Sequence, residues 1–127
     1  MTLDSSALVA ILFSEPGHLE LIDRILEADH VRVGAPTLVE AGLVLAGRGA
    51  RAPRLLGDLV AELGVTVVPF GEPEWHAAVD AFLRYGRGRH AAALNVGDCL
   101  SYATAAVAGD SLLFVGGDFA RTDITPA

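Results

Sequence analysis

The chain begins with Thr2-Leu3-Asp4-Ser5-Ser6-Ala7-Leu8-Val9-Ala10, and this stretch decides how the rest is interpreted. A short strand at Thr2 and Leu3 ends at Asp4-Ser5-Ser6, whose polar side chains are typical of a helix N-terminus. Apolar residues then recur at helical spacing, at Leu8, Ile11 and Leu12. This order of strand, acid and helix predicts the first unit of an α/β sheet.

The same alternation of strands and helices continues along the chain. Further strands are predicted at 31–33, 65–68 and 112–115, and further helices at 18–28, 36–47, 55–63, 72–85 and 96–108. This order predicts an α/β fold in which helices flank both faces of a parallel β-sheet, within a single domain at 1–127. The strand at 65–68 is expected to be buried. Trp75, Val79 and Phe82 are expected to face inward from their helix.

The composition limits the classes of protein that this chain can belong to. Apolar residues make up 52% of its 127 residues, which is enough for a buried core. No apolar run reaches the roughly 18 residues that span a bilayer, so we expect no membrane partner. The net charge of −7 argues against a protein that simply coats nucleic acid. The single cysteine, Cys99, excludes an internal disulfide and is typical of a reducing, cytoplasmic location.

Four acids stand out because each lies near the start of a predicted helix among small or apolar neighbours: Asp4, Glu40, Asp98 and Asp118. Proteins with an open parallel sheet bind ligands beyond the carboxyl ends of the strands. Asp4, Glu40 and Asp118 each follow one of the predicted strands. Gathered carboxylates repel each other by about 4 kcal/mol per pair at roughly 4 Å and a dielectric constant near 20. Such a cluster is stable only if some carboxyls hold protons or if a hard divalent cation lies among them.

Each of these acids also has a purely structural explanation. Asp4 fits a cap of the first helix, and Asp118 fits a cap of the last turn. Two pairs fit capping boxes, in which an acid in the first turn bonds back to the cap residue: Thr37 with Glu40, and Asn95 with Asp98. Small neighbours favour a ligand site instead, because they leave room for an ion and its waters. These neighbours are Ser6, Ala7, Ala41, Gly42, Gly97, Gly116 and Gly117.

Several segments carry recognisable motifs: residues 3–10, 35–41, 84–90, 94–99 and 112–123. Each motif alone is weak, but the ordered set is specific. Together they resemble the VapC-type toxins, which are PIN-domain ribonucleases of bacterial and archaeal toxin–antitoxin pairs. The resemblance spans the whole chain in the right order, and it implies a PIN-like fold.

The resemblance also implies a site and a reaction. Asp4, Glu40, Asp98 and Asp118 would form a Mg²⁺ site that also accepts Mn²⁺, with the hydroxyl of Ser6 supporting it. Asp4 and Asp98 would chiefly hold the ion, while Glu40 and Asp118 would orient water or complete the metal shell. The implied reaction is the hydrolysis of RNA phosphodiester bonds, which leaves 5′-phosphates.

The chain departs from the family pattern beside the last acid. Where the family commonly has Lys-Gly-Asp/Asn-Asp-Phe, this chain has Val115-Gly116-Gly117-Asp118-Phe119. The substrate contacts that the resemblance implies at that rim would lack this lysine and polar residue, and Asp118 is the only acid available there. The partners that the resemblance implies are an RNA substrate, a VapB-like antitoxin with its C-terminal segment in the catalytic groove, and a second copy in a homodimer.

An acid-free basic stretch supplies the candidate contacts to RNA phosphates: Arg84, Arg87, Arg89 and His90. Arginine grips phosphates through two hydrogen bonds at once, which favours this interpretation. The alternative is a solvated loop. A second basic group has a weaker claim, since a turn that enters an exposed helix often carries charge: Arg48, Arg51 and Arg54.

Other classes of protein fit part of the pattern. A catalytically silent PIN-like module that binds RNA or a protein partner would explain the altered rim at Val115 and Gly117. A phosphoacceptor receiver domain needs a lysine beside its aspartate, and the chain contains no lysine. A Mg²⁺-dependent phosphatase often has two aspartates one residue apart, which Asp4-Ser5-Ser6 does not provide. The leading hypothesis is a Mg²⁺-dependent endoribonuclease toxin.

Overall fold

A parallel sheet of four strands organises the computed structural model, which describes residues 1–47, 49 and 52–127. The strands are β1 (Thr2–Leu3), β2 (Arg32–Gly34), β3 (Thr66–Val68) and β4 (Leu112–Leu113). They lie in the order β3-β2-β1-β4, and every neighbouring pair is parallel. The predicted parallel α/β sheet is therefore confirmed, and the carboxyl ends of all four strands meet at one edge.

Six helices connect and cover the strands: α1 (Ser5–Leu12), α2 (His18–Glu27), α3 (Ala35–Ala46), α4 (Ala52–Glu62), α5 (Glu72–Tyr85) and α6 (Val96–Ala108). A short 3₁₀ helix follows at Asp118–Arg121. The bounds of α5 and α6 are those predicted, whereas α4 begins three residues early, inside a predicted turn. Part of that turn, with Arg48 and Arg51, lies outside the described residues. Within the described ranges, no helix is long and apolar enough to cross a membrane.

Two apolar clusters lie on opposite faces of the sheet. Successive strand residues point to opposite faces, and the neighbours Leu112 and Leu113 of β4 belong to different clusters. Leu113 shares its cluster with Leu8 of α1 and Leu45 of α3, both fully buried. Leu112 shares the other cluster with Tyr102 of α6. Helices therefore flank both faces, as the sequence predicts.

The prediction that Trp75, Val79 and Phe82 face inward from α5 is wrong. Trp75 is 56% exposed, and Val79 and Phe82 are exposed as well. Helical spacing identifies residues that share a face, but it does not say which face is buried. The buried face of α5 carries Ala81 instead, because a small side chain lets α5 lie close against α6.

The expected burial of the third strand is also only partly right. Val65, just before β3, is buried, but Thr66 and Val67 are exposed. The reason is that β3 lies at the edge of the sheet, beyond β2. An edge strand has a neighbour on one side only, and β-branched residues suit such half-exposed positions as well as buried ones.

Two leucines of contrasting exposure give a direct test of the core. Leu45 on α3 is 1% exposed, whereas Leu26 on α2 is 67% exposed. We expect Leu45→Ala to lower the free energy of unfolding by about 2–5 kcal/mol, because it leaves a cavity in the cluster that contains Leu113. The control Leu26→Ala should change it by no more than about 0.5 kcal/mol. Urea unfolding followed by circular dichroism measures both, and equal losses would contradict this description of the core.

Candidate metal centre

Asp4 follows β1 and caps α1. Its backbone N–H donates to the carbonyl of Leu113 at 2.9 Å, which fixes it at the carboxyl end of the central strands. Its Oδ2 accepts hydrogen bonds from the N–H of Ser6 at 3.0 Å and from the Ser6 hydroxyl at 2.5 Å. Its Oδ1 is buried and has no hydrogen-bond partner among the described residues. A buried carboxylate oxygen without a partner is unfavourable, so this atom points to a cation as its natural partner.

Ser6 connects this acid to the other side of the site. While its hydroxyl donates to Asp4, its oxygen accepts a hydrogen bond from the N–H of Val115 at 3.0 Å. Val115 lies just after β4, in the segment that leads to Asp118. The predicted supporting residue therefore ties the start of α1 to the segment that carries the last acid.

Glu40 lies on α3, which follows β2, and its carboxyl reaches the first turn of α6 beside Gly97. Burial raises its pKa, a hydrogen bond with Ser5 partly offsets the rise, and the charge of Asp4 adds to it. The capping-box explanation for Glu40 is wrong. Helix α3 begins at Ala35 and has no side-chain cap, so Thr37 already lies inside the helix.

Asp98 has two roles available to it. The predicted capping box is present, since Asp98 Oδ2 accepts from the N–H of Asn95 at 2.7 Å and Asn95 Oδ1 accepts from the N–H of Asp98 at 3.0 Å. The pKa of Asp98 is raised to about 6. Burial is the main cause, the hydrogen bond with Asn95 opposes it, and the charges of Asp118, Asp4 and Glu40 contribute to the rise. The cap occupies one oxygen only, so Oδ1 of Asp98 remains available to a ligand.

Asp118 opens the 3₁₀ helix after β4 and is exposed. The cap position there belongs to Gly117, and no side chain caps that turn, so the structural explanation of Asp118 as a cap is wrong. Its carboxyl is close enough to raise the pKa of Asp98. The fold therefore brings all four predicted acids to one end of the sheet, and we refer to Asp4, Glu40, Asp98 and Asp118 as the acid cluster.

The acid cluster has the right chemistry for a hard cation but is not drawn together around one point. As the side chains lie, no three Asp, Glu, His or Cys residues in the described part of the chain converge closely enough to hold a metal ion. The donor set fits a divalent ion, because it consists of carboxylate oxygens and includes the unpaired Oδ1 of Asp4. Closing around an ion would require side chains such as the exposed Asp118 to turn inward.

The basic stretch at 84–90 divides into two groups. Arg84 forms an ion pair with Asp123 at 2.7 Å, and the Tyr102 hydroxyl donates to the same carboxylate at 2.6 Å. Both contacts lower the pKa of Asp123, and the hydrogen bond from Tyr102 has the larger effect. This network, which the sequence does not reveal, engages Arg84 in holding the C-terminal segment against α5 and α6.

The remaining basic residues are exposed. The Arg89 guanidinium lies 5.6 Å from the centre of the Phe82 ring, and His90 Nδ1 accepts from the N–H of Ala92 at 3.1 Å. Within the described residues, the side chain of Arg87 has no hydrogen bond or ion pair. Arg87 and Arg89 are thus the more available of the predicted phosphate contacts, and their binding of RNA stays a prediction.

Comparison with known proteins identifies the family. Residues 1–124 match the family model of the PIN domain. The chain belongs to the PIN-domain family. Ribonuclease VapC36 of Mycobacterium tuberculosis is 44% identical over 126 residues, which cover 98% of this chain and 91% of that protein. Ribonuclease VapC42 of the same species is 39% identical over 129 residues, which cover 100% of this chain and 98% of that protein.

Solved structures agree with this assignment at the level of the fold. The crystal structure of Mycobacterium tuberculosis VapC20, described as a sarcin–ricin loop cleaving toxin, superposes with a TM-score of 0.79 at 18% identity. A toxin–antitoxin complex from Klebsiella pneumoniae gives a TM-score of 0.75 at 13% identity. Both matches cover 99% of this chain and 97% of the other. The resemblance seen in the sequence is confirmed: this PIN-domain chain is a member of the VapC ribonuclease toxins.

The raised pKa of Asp98 predicts how stability depends on pH without metal. The folded protein holds this proton up to about pH 6, whereas an ordinary aspartate releases it near 3.8. The folded state therefore binds more protons in this window, and its stability falls as the pH rises from about 4 to 6. Asp98→Asn keeps a cap acceptor but removes the charge, so it should lose less stability over that range.

Urea unfolding in EDTA at several pH values between 4 and 7.5 measures the difference between the two proteins. The difference should grow up to about pH 6 and then stay constant. Asp58→Asn, at an exposed position on α4, controls for the removal of one negative charge. A difference between wild type and Asp98→Asn that does not change with pH would contradict the prediction.

Proposed function

We propose that the protein is a Mg²⁺-dependent endoribonuclease of the cytoplasm, the toxin of a toxin–antitoxin pair, and that the acid cluster is its active site. Mn²⁺ would substitute for Mg²⁺. The observation that carries the proposal is the unpaired, buried Oδ1 of Asp4 among carboxyls that raise the pKa of Asp98. Relatives that are 39–44% identical over nearly the whole chain are named ribonucleases, which supports the reaction class.

The four acids of the cluster would have different roles, set by which carboxylate oxygens are free. Asp4 would hold the ion through Oδ1, because Ser6 fixes its other oxygen. Asp98 would hold it through the oxygen that the Asn95 cap leaves free. When bound, the ion polarises the phosphodiester and activates a water molecule for attack. Glu40, whose pKa is raised, would orient that water, and the exposed Asp118 would complete the metal shell.

The contacts to substrate and antitoxin follow from charge. Arg87, Arg89 and His90 are exposed and would bind RNA phosphates, with Arg84 contributing only as far as its pair with Asp123 allows. An antitoxin segment that carries arginine would pair with the acid cluster and displace the ion or the RNA. The solved structure from Klebsiella pneumoniae that shares this fold is a toxin–antitoxin complex, which supports a VapB-like partner for this chain.

A second copy of the chain would cover an exposed apolar groove, which we propose as the homodimer surface. The groove has a volume of about 800 Å³ and lies between α3, the segment after β3, and the start of α6. An adjoining hollow of about 310 Å³ extends it along α5. An exposed apolar surface of this extent is typical of protein interfaces. The apolar groove and its extension are lined by Pro36, Val39, Leu43, Phe70, Trp75, Val79, Phe82, Leu83, Val96 and Leu100.

Cleavage of a mixed pool of structured RNA tests the active site. Wild type with Mg²⁺ or Mn²⁺ should give discrete products that bear 5′-phosphates, and EDTA should abolish them. Asp4→Asn and Asp98→Asn should each slow cleavage at least ~100-fold, since each removes a charge that holds the ion. The matched control is Glu72→Gln, because Glu72 also follows a strand and opens a helix but lies outside the cluster. It should cleave within twofold of wild type.

The same experiment separates the enzyme from a silent PIN-like module. The altered rim at Val115 and Gly117 favours that second candidate. A folded wild type that binds RNA, yet leaves every RNA uncut with either ion, would support the module and refute the nuclease. Full cleavage by Asp4→Asn in EDTA would refute the metal-dependent site.

The homodimer is tested by the molar mass of two matched variants. Leu43 on α3 lines the apolar groove and is 71% exposed, whereas Leu26 on α2 is 67% exposed and lies outside it. Light scattering after size exclusion should give a dimer for wild type and for Leu26→Lys, and a monomer for Leu43→Lys, which would bury a charge in the interface. A monomeric wild type, or a dimeric Leu43→Lys, would refute this surface.

A further inference from the structure

Gly97 occupies a position where its backbone does not require glycine. It lies in the first turn of α6, between Val96 and Asp98, and it is buried. Its φ is outside the left-handed range that favours glycine. Glycine is less favourable than alanine in a helix, because it loses more conformational freedom on folding. Another contact must therefore account for the missing side chain.

The space beside Gly97 is filled by the carboxyl of Glu40. A Cβ built on Gly97 would lie 2.5 Å from Glu40 Oε2 and closer still to Oε1 and Cδ, so no side chain fits there while Glu40 keeps its place. Two other helical glycines, Gly42 and Gly57, have nothing within 4 Å of such a Cβ. The small neighbours of the acids were expected to leave room for waters, but at Gly97 the room is taken by a member of the acid cluster itself.

We propose that Gly97 is a positioning residue for the active site. Its missing side chain lets the Glu40 carboxyl lie against the first turn of α6, one residue from Asp98. Any side chain at position 97 would displace Glu40 rather than the helix, because the obstructed atoms are the end of a flexible side chain. The consequence for catalysis rests on the proposed function, whereas the placement of Glu40 does not.

Crystal structures of wild type, Gly97→Ala and Gly42→Ala without metal test the placement. In wild type the Glu40 carboxyl should contact Gly97, and in Gly97→Ala it should move away while the backbone of α6 stays in place. Gly42→Ala is the matched control, because it adds a methyl in open space on the same helix as Glu40. A wild type in which Glu40 is turned away from Gly97, or a Gly97→Ala in which α6 shifts and Glu40 stays, would overturn the proposal.

Two measurements test whether the placement of Glu40 matters for the site: the affinity for Mn²⁺ and the rate of RNA cleavage. Gly97→Ala should weaken Mn²⁺ binding and lower kcat by about tenfold or more, and Gly42→Ala should stay within twofold of wild type. Unfolding temperatures without metal should agree within a few degrees, which separates positioning from loss of the fold. Adding Glu40→Asp to Gly97→Ala shortens the acid and should recover part of the Mn²⁺ affinity.

The outcomes distinguish this inference from the proposed function. Equal Mn²⁺ affinity and kcat in Gly97→Ala and wild type would overturn the positioning role. If wild type itself binds no Mn²⁺ and cuts no RNA, the proposed function fails, and the crystal structures still decide whether Gly97 places Glu40. If Gly97→Ala does not fold, the wild-type crystal structure is the remaining test. A Glu40 carboxyl against Gly97 would support the proposal, and one turned away would overturn it.

Discussion

Burial of carboxyl groups close to one another is the constraint on which this end of the molecule depends. Asp4, Glu40, Asp98 and Asp118 come from four separate parts of the chain, and the parallel sheet brings them to one edge. The resulting environment disfavours charge enough to raise the pKa of Asp98 to about 6. The same cost makes the stability of the fold depend on pH, and a cation bound at the proposed site would relieve it.

Two of the four acids are held in place by their own helices. Asp4 caps α1 and Asp98 takes part in the capping box of α6, and in each case one carboxylate oxygen is used and the other is left free. The structural and the functional explanations of these residues are therefore not alternatives. The cap fixes the side chain at a helix N-terminus, where the helix dipole favours negative charge, and it leaves the other oxygen available to a ligand. Ser6 extends this support to the loop after β4.

The order of elements and the location of Asp4, Glu40 and Asp118 could be predicted from the sequence, because each of these acids follows a strand. Asp98 follows a loop, so its place beside them was expected only from the family resemblance. The cap at Asn95 and the apolar spacing of α6 define that helix to the residue. Features that depend on which elements meet could not be predicted. The exposed face of α5 follows from the close packing of Ala81 against α6, and the Arg84–Asp123 pair joins residues 39 positions apart. The contact of Glu40 with Gly97 joins two helices whose proximity no motif records.

The proposed dimer surface and the proposed active site share two residues. Glu40 and Gly97 line the same apolar groove as Val39 and Leu43, so the groove ends at the acid cluster. A partner that fills the groove would remove water from the outer side of Glu40. Since burial already raises the pKa of Glu40, further loss of water would favour its protonated form or draw an ion closer. If a second copy binds there as proposed, association at the groove and the charge state of the site would be linked through the side chain of Glu40, which lies against Gly97.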